Sequence, residues 1–267
     1  MKPLLELKEV SLAYHGMEGE TTALSNISFQ VNKGEFLAVV GPSGCGKSTL
    51  LNLICGLLKP EHGSVLIDGI DGEYSTMNIG YMLQKDHLFE WRSVYRNVLL
   101  GLEIQHQLTP ERKKKVKKML KTYGLDKFQN AHPSQLSGGM RQRAALIRTL
   151  ALEPDLLLLD EPFSALDYQT RLNVSDDIGR IIKQEGKTAI LVTHDISEAI
   201  SMADRVIVLT KRPAQMKKEI TIQLEEKNRT PMSSRNDPRF KLYFNYIWKE
   251  LNEDGSDIVS AAPVSET

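Results

Sequence analysis

The 267-residue chain has only two cysteines, Cys45 and Cys55. If they lie at the two ends of one helix, the helical rise alone separates them by about 15 Å, which is too far for a disulfide bond. Unpaired thiols are typical of proteins in a reducing compartment, so we expect a cytosolic chain.

Long apolar runs and an excess of either charge are absent as well. The sequence has no run of about 18 apolar residues that could cross a membrane. Charged residues interrupt its apolar N-terminus, so we expect no signal peptide. Lys plus Arg and Asp plus Glu number 34 each, which gives zero formal net charge. This balance argues against a nucleic-acid partner, because proteins that bind nucleic acid are normally basic. Any role at a membrane must then come through a partner chain.

Short apolar runs alternate with helical periodicity through most of the chain. The runs at residues 36–40, 156–159, 189–192 and 206–209 are typical of strands that are buried on both faces. Strand–helix alternation predicts an α/β fold with a mostly parallel sheet and helices on its faces. A helix is predicted at residues 47–58, and weaker patterns predict strands at residues 63–69 and 219–224.

The same patterns divide the chain. Residues 85–152 show mainly helical periodicity, which predicts a helical segment inserted into the α/β core. We therefore predict a single domain over residues 1–252, with a C-terminal helix at about 238–251. Residues 253–267 are rich in Ser, Ala, Asp and Glu and predict a disordered tail.

A glycine-rich segment, GPSGCGKST at residues 41–49, fits the phosphate-binding pattern G-x-x-x-x-G-K-[ST]. Glycines let consecutive backbone N–H groups point at one anion, and the helix that follows directs its positive end there. Lys47 would face the β- and γ-phosphates, and the Ser48 hydroxyl would be a Mg²⁺ ligand. A glycine loop without function is the alternative, but a buried strand before it and a helix after it are the context that binding requires. The predicted ATP-binding residues of this loop are Gly41, Pro42, Ser43, Gly44, Cys45, Gly46, Lys47, Ser48 and Thr49.

Three further side chains follow predicted strands and complete a candidate site. Asp160 and Glu161 follow the leucine run, which places them at the carboxyl edge of the sheet, where ligands bind in such folds. Asp160 can hold Mg²⁺, and Glu161 can act as the general base for the attacking water. His194 ends the next strand and can donate to the γ-phosphate. Taken alone, the two acids could equally be an acidic turn, and the histidine a structural residue.

The sequence LSGGM at residues 136–140, followed by RQR, resembles the signature motif of ABC ATPases. The phosphate loop, Gln84, the acidic pair, the sequence SALD at residues 164–167 and His194 occur in the order found in that family. The resemblance extends over about residues 4–210. One departure is Met140, where the commonest signature has Gln.

This resemblance implies a P-loop NTPase core with an N-terminal antiparallel β subdomain and an inserted α-helical subdomain. It also implies that two subunits, identical or closely homologous, pair head to tail, with ATP between the phosphate loop of one and the signature of the other. Gln84 would contact Mg²⁺ and the attacking water, and Tyr14 would stack on adenine. The signature residues would be Leu136, Ser137, Gly138, Gly139 and Met140, and those of the D-loop, which crosses the dimer interface, Ser164, Ala165, Leu166 and Asp167.

Residues 81–102 more closely resemble the ATPases of nitrate, sulfonate and taurine importers. This resemblance implies permease subunits as partners, a solute-binding protein as an indirect partner, and a peripheral position at the cytoplasmic face of the membrane. The solute is open between such oxyanions and thiamine-precursor pyrimidines. An ABC ATPase outside transport, in iron–sulfur assembly or DNA maintenance, is the alternative function.

Overall fold

A computed structural model of the chain describes residues 2–16, 19–72, 75–225 and 230–252. The tail predicted at 253–267 lies outside these residues. The strands are β1 (Leu5–Gly16), β2 (Gly19–Val31), β3 (Phe36–Val40), β4 (His62–Ile67), β5 (Ile70–Asp71), β6 (Ile79–Met82), β7 (Leu156–Asp160), β8 (Thr188–Thr193), β9 (Arg205–Leu209) and β10 (Met216–Thr221). The α-helices are α1 (Lys47–Ile54), α2 (Val94–Ile104), α3 (Pro110–Thr122), α4 (Gly138–Leu150), α5 (Tyr168–Gln184), α6 (Ile196–Met202), α7 (Pro231–Arg235) and α8 (Phe240–Asn252).

The strands form two sheets. The larger sheet has the order β10-β9-β3-β8-β7-β6, and all of its neighbours are parallel except β10, which runs antiparallel to β9. The smaller sheet, β2-β1-β4-β5, is antiparallel and comes mainly from the N-terminal part of the chain. The predicted fold class is therefore confirmed.

The central strands of the large sheet are buried on both faces, which explains their continuous apolar sequence. Alternate residues of β3 enter different cores, because side chains of a strand point to opposite faces. Leu37 and Val39 pack with α1 and the small sheet, whereas Ala38 and Val40 pack with the helices on the other face. The phosphate-binding segment thus emerges from the middle of the molecule.

Helices α2, α3 and α4 lie between β6 and β7, within the segment predicted to be helical. Each begins at a hydroxyl side chain that accepts a hydrogen bond from the backbone of its first turn, and these N-cap residues are Ser93, Thr109 and Ser137. Such caps satisfy backbone N–H groups that a helix leaves without intrahelical partners.

Several element boundaries differ from the sequence-based predictions. Helix α1 ends at Ile54 and not at residue 58, because the chain turns into the left-handed region at Gly56, whose φ is 75°. Strand β10 begins three residues before the predicted segment, and only its Ile220 is buried, as expected of an edge strand. Strand β6 was not predicted, because Gly80 interrupts its apolar pattern.

Candidate active site

The phosphate loop, residues 41–49, connects the end of β3 to the first turn of α1. Gly44 and Gly46 have φ angles of 72° and 126°, which residues with a side chain rarely adopt. A Cβ on Gly46 would also lie 2.9 Å from Leu24 Cδ2 and 3.1 Å from the Ala23 carbonyl oxygen. Gly46 is the N-cap of α1 and has no side chain to cap it, so the first-turn N–H groups are suited to an anion.

Lys47 places its charge inside this loop. Its side chain is buried, and Nζ donates to the carbonyl oxygens of Gly41 at 2.9 Å and Pro42 at 3.0 Å. The same nitrogen lies 3.8 Å from Glu161 Oε1. The ammonium group is thus held between the loop and the acid that follows β7.

Ser48 and Asp160 bring two oxygen ligands together. Ser48 Oγ donates to Asp160 Oδ1 at 3.1 Å, and Tyr81 Oη donates to Asp160 Oδ2 at 3.2 Å. Burial raises the pKa of Asp160 above its ordinary value, and the two hydroxyl hydrogen bonds oppose that rise. A hydroxyl and a carboxylate are oxygen ligands of the kind that Mg²⁺ prefers beside phosphate, so these residues fit that ion. Within the described ranges no cluster of three or more His, Cys, Asp or Glu could hold a metal.

Glu161 has a strained backbone and a fixed side chain. Its φ is 43°, which is uncommon for a residue with a side chain, and its backbone N donates to the Val192 carbonyl at 2.9 Å. His194 Nδ1 lies 3.0 Å from Glu161 Oε2. The strand ends of β7 and β8 therefore bring the predicted base and the predicted histidine into contact, and the His194 side chain remains 52% exposed.

Gln84 and Ser164 of the D-loop are linked to the backbone of Glu161 by hydrogen bonds. Gln84 Nε2 donates to Ser164 Oγ at 3.3 Å, and Ser164 Oγ donates to the Glu161 carbonyl at 3.0 Å. Asp167 ends the D-loop and caps α5 by accepting from Thr170 N at 3.1 Å. Ala165 and Leu166 lie between Ser164 and Asp167 in the D-loop.

Tyr14 lies at the far end of the phosphate loop. Its side chain is partly exposed, and its hydroxyl is 3.1 Å from Thr49 Oγ1. This contact places Tyr14 beside the first turn of α1.

The signature residues contact a different part of the chain. Ser137 caps α4, and a Cβ on Gly138 would lie 3.0 Å from Leu166 Cδ2. A Cβ on Gly139 would lie only 2.7 Å from Val174 Cγ2 of α5. The two glycines thus let α4 approach the D-loop and α5 closely. Leu136 is buried and Met140 partly buried in the same core.

The position of Cys45 near a helix start predicts, from the sequence alone, a thiol with a lowered pKa and high reactivity. The structure corrects that prediction. The side chain is instead buried, and burial raises the pKa of the thiol despite the nearby charge of Lys47. Desolvation of the thiolate outweighs the helix terminus here.

Two features of the site were not anticipated from the sequence. The first is Tyr81 on strand β6, which contacts Asp160. The alternation of side chains along β6 could have indicated this contact, but the strand itself was not predicted.

The second feature is helix α8, which packs against α6 and β9. Its Trp248 and Leu251 line a cavity of about 290 Å³ together with Ser43 of the phosphate loop and His194. The C-terminal helix is therefore a wall of the candidate site.

No helix in the described ranges is both long and apolar enough to cross a membrane.

Comparison with known proteins identifies the family. Residues 24–164, more than half of the chain, match the ABC transporter family. An uncharacterized ABC transporter ATP-binding protein of Bacillus subtilis, YtlC, is 48% identical over 248 residues, which cover 93% of this chain and 95% of that protein. The aliphatic sulfonates import ATP-binding protein SsuB of Bacillus thuringiensis is 38% identical over 230 residues, 86% of this chain and 90% of the relative.

A solved structure agrees with this assignment. The dimeric post-hydrolysis state of an ATP-binding cassette, bound to ADP and Pi, matches with a TM-score of 0.70 and 33% identity, over 82% of this chain and 99% of that one. The chain belongs to the ABC transporter ATP-binding family. It is an ATPase of that class, which converts ATP and water to ADP and phosphate.

Proposed function

We propose that the chain is the ATP-hydrolysing subunit of an ABC importer, in which two copies, or this chain and a close homologue, pair head to tail. The observation that carries the proposal is a division of the site. Lys47, Asp160, Glu161 and His194 converge at the phosphate loop. Ser137 instead caps α4, and its neighbouring glycines pack against the D-loop and α5. A second copy would bring its signature to the loop, and the solved dimeric relative supports such pairing.

The binding step uses charge and backbone donors. The ammonium group of Lys47 and the N–H groups at the start of α1 hold the phosphates, while the Tyr14 ring stacks on adenine. Ser48, Gln84 and Asp160 would hold Mg²⁺, which would neutralise negative charge on the phosphates.

The chemical step depends on Glu161 as the general base. Its carboxylate accepts a proton from the attacking water, and a positioned base of this kind contributes about 10²- to 10⁴-fold in rate. His194 holds this carboxylate through Nδ1, at 3.0 Å from Oε2. Its Nε2 can donate to the γ-phosphate when the ring carries both protons, because a neutral ring that donates through Nδ1 leaves Nε2 as an acceptor. Gln84 acts on the same centre through Ser164, whose hydroxyl contacts the Glu161 carbonyl.

The D-loop residues would cross the dimer interface, next to the signature residues that serve the ATP of the second copy. We propose that residues 1–252 act as one domain in this assembly. The D-loop residues are Ser164, Ala165, Leu166 and Asp167, and the signature residues are Leu136, Ser137, Gly138, Gly139 and Met140.

An exposed aromatic pair follows Gln84 and is the proposed contact with the permease. The ring centroids of Phe89 and Trp91 are 4.6 Å apart, and Trp91 is 75% exposed. Leu83, which precedes Gln84, is also exposed. Exposed apolar side chains in contact, as in the Phe89–Trp91 pair, are typical of interaction sites. A partner bound here would sense Gln84 and hence the base.

The proposed cargo follows from the resemblance to importers and from the sulfonate-import relative. It is a nitrate-, sulfonate- or taurine-like solute or a thiamine precursor, delivered by a solute-binding protein. The chain would then lie at the cytoplasmic face of the membrane, held there by its permease.

Copurification of the tagged chain from detergent-solubilised membranes tests this function. We expect a polytopic permease to copurify with the wild-type chain and to be lost from Trp91→Ala. A matched control is Leu57→Ala, because Leu57 is a comparably exposed apolar residue, at 70%, on the turn after α1. Recovery of a soluble assembly complex without a permease would contradict the transport function and favour the non-transport alternative.

A further inference from the structure

Tyr81 reaches the site from the middle of β6. This strand runs parallel to β7 and pairs Tyr81 with Leu158, two residues before Asp160. The alternation of the strand directs Ile79 and Tyr81 to the face that packs with α1. The phenol therefore extends beneath the first turns of the helix that carries Ser48.

The Tyr81 hydroxyl has two acceptors within reach, Asp160 Oδ2 at 3.2 Å and Asn52 Oδ1 at 3.3 Å. It has one proton to donate. A tyrosine hydroxyl keeps its proton at physiological pH, because the ordinary pKa of a phenol is about 10. Tyr81 is thus a permanent donor toward the buried carboxylate.

Each oxygen of the Asp160 carboxylate receives one hydroxyl hydrogen bond. Ser48 donates to Oδ1 at 3.1 Å, and Tyr81 donates to Oδ2 at 3.2 Å. Asp160 is buried, so neither bond is readily replaced by water. Two donors at opposite oxygens fix the rotation of the carboxylate plane and leave Oδ1 directed at Ser48.

We propose that Tyr81 is a positioning residue that presets the Mg²⁺ site by holding Asp160 with one carboxylate oxygen beside the Ser48 hydroxyl. This inference rests on the proposed function, in which Ser48 and Asp160 are Mg²⁺ ligands. Groups that hydrogen-bond to metal ligands orient them, and their loss typically weakens metal binding about 10- to 100-fold.

The chain provides a matched control for Tyr81→Phe. Tyr123 Oη also donates to a carboxylate, Glu185 Oε1, at 2.9 Å, between the helical segment and α5. Tyr123→Phe removes a hydrogen bond of the same type without touching Ser48 or Asp160. A general loss of stability would affect both variants, whereas a loss of metal positioning would affect only Tyr81→Phe.

The experiment measures the Mg²⁺ concentration at half-saturation for the ATP-bound protein, by calorimetry or by competition with Mn²⁺ followed by electron paramagnetic resonance. A Glu161→Gln background prevents hydrolysis, and ATP binding in EDTA provides the metal-free baseline. We expect Tyr81→Phe to raise the half-saturating Mg²⁺ concentration about tenfold, with unchanged metal-free ATP binding. Tyr123→Phe should match the background protein in both measurements.

Three outcomes would overturn the inference, each in a different way. If Tyr81→Phe matches the background while Asp160→Asn loses Mg²⁺ binding, Asp160 is a ligand but Tyr81 does not position it. If Asp160→Asn binds Mg²⁺ like the background, the proposed metal site itself is wrong, and the inference falls with it. Asn52→Ala, which removes the competing acceptor, should leave Mg²⁺ binding unchanged, and a weakening equal to that of Tyr81→Phe would also overturn the inference.

Discussion

Glu198 on α6 makes the stability of the protein depend on pH in an unusual direction. Its side chain is only 3% exposed, and burial raises the pKa of the carboxyl from 4.5 to about 7. Thr193 Oγ1 donates to Oε2 at 2.7 Å, and Arg171 Nε lies 3.9 Å from Oε1. Asp195 opposes ionisation, while Arg171 and, from α7, Arg235 favour it.

The sign of the effect follows from the higher pKa in the folded state. Between pH 4.5 and about 7 the folded protein keeps a proton on Glu198 that the unfolded chain releases. Stability therefore falls as pH rises through this window, and the loss is complete above the folded pKa. A shift of this size corresponds to about 3 kcal/mol, because one pKa unit is about 1.4 kcal/mol.

Glu198→Gln should remove this cost. Glutamine keeps an oxygen that can accept from Thr193 but carries no charge to bury. Relative to the wild type, we expect the variant to gain about 3 kcal/mol between pH 4.5 and pH 8. Urea unfolding of both proteins across this pH range measures the difference directly.

A control with the opposite sign is available in the same chain. The hydrogen bond from Lys115 lowers the pKa of the exposed Glu153 carboxyl, so its contribution to stability is present above its ordinary pKa and lost in acid. Glu153→Gln should therefore lose stability relative to the wild type as pH rises. Parallel pH profiles for wild type and Glu198→Gln would refute the reasoning about Glu198.

Three other substitutions or reactions test separate parts of the account. Glu161→Gln should bind ATP but lose about 10²- to 10⁴-fold in turnover, and near-normal turnover in a phosphate-release assay would exclude its role as base. Gly139→Ala should cost about 1–3 kcal/mol in urea unfolding, because the added Cβ would lie 2.7 Å from Val174 Cγ2. An unchanged midpoint would show that α4 shifts freely. Cys45 should react with maleimide far more slowly in the folded protein than in urea, since its thiol is buried with a raised pKa. Equal rates by mass spectrometry would contradict that burial.

The large sheet could be predicted from sequence because its central strands are uniformly apolar. The apolar run predicted at residues 189–192 forms the middle of strand β8, Thr188–Thr193, because a strand buried on both faces has a continuous apolar sequence. Strands β6 and β10 lie at the two edges of the sheet and lack that pattern. The positions of β6 and β10 depend on pairing with β7 and β9, respectively. This pairing cannot be predicted from the sequence of either edge strand alone.

The candidate site could likewise be predicted only in part. The residue types and spacing of the phosphate loop indicate their chemistry directly, because glycines and a lysine at those positions serve an anion. The hydrogen bond from Tyr81 to Asp160 joins residues 79 positions apart and could not be inferred from either. The burial of Cys45 was also missed, because the helix start is local information and the packing around the thiol is not.

The central claim is that a complete site needs the phosphate loop of one copy and the signature of another. Mixing two inactive variants tests it most directly. Lys47→Ala disables only the loop, and Ser137→Arg disables only the signature. In a mixed head-to-tail pair, the intact loop of one variant meets the intact signature of the other, so one site is restored.

The measurement is the ATPase rate of each variant alone and of their mixture. The account predicts that the mixture regains activity well above the sum of the two variants, up to roughly a quarter of the wild-type rate if pairing is random. A mixture as inactive as its separate components would contradict a site shared between two copies.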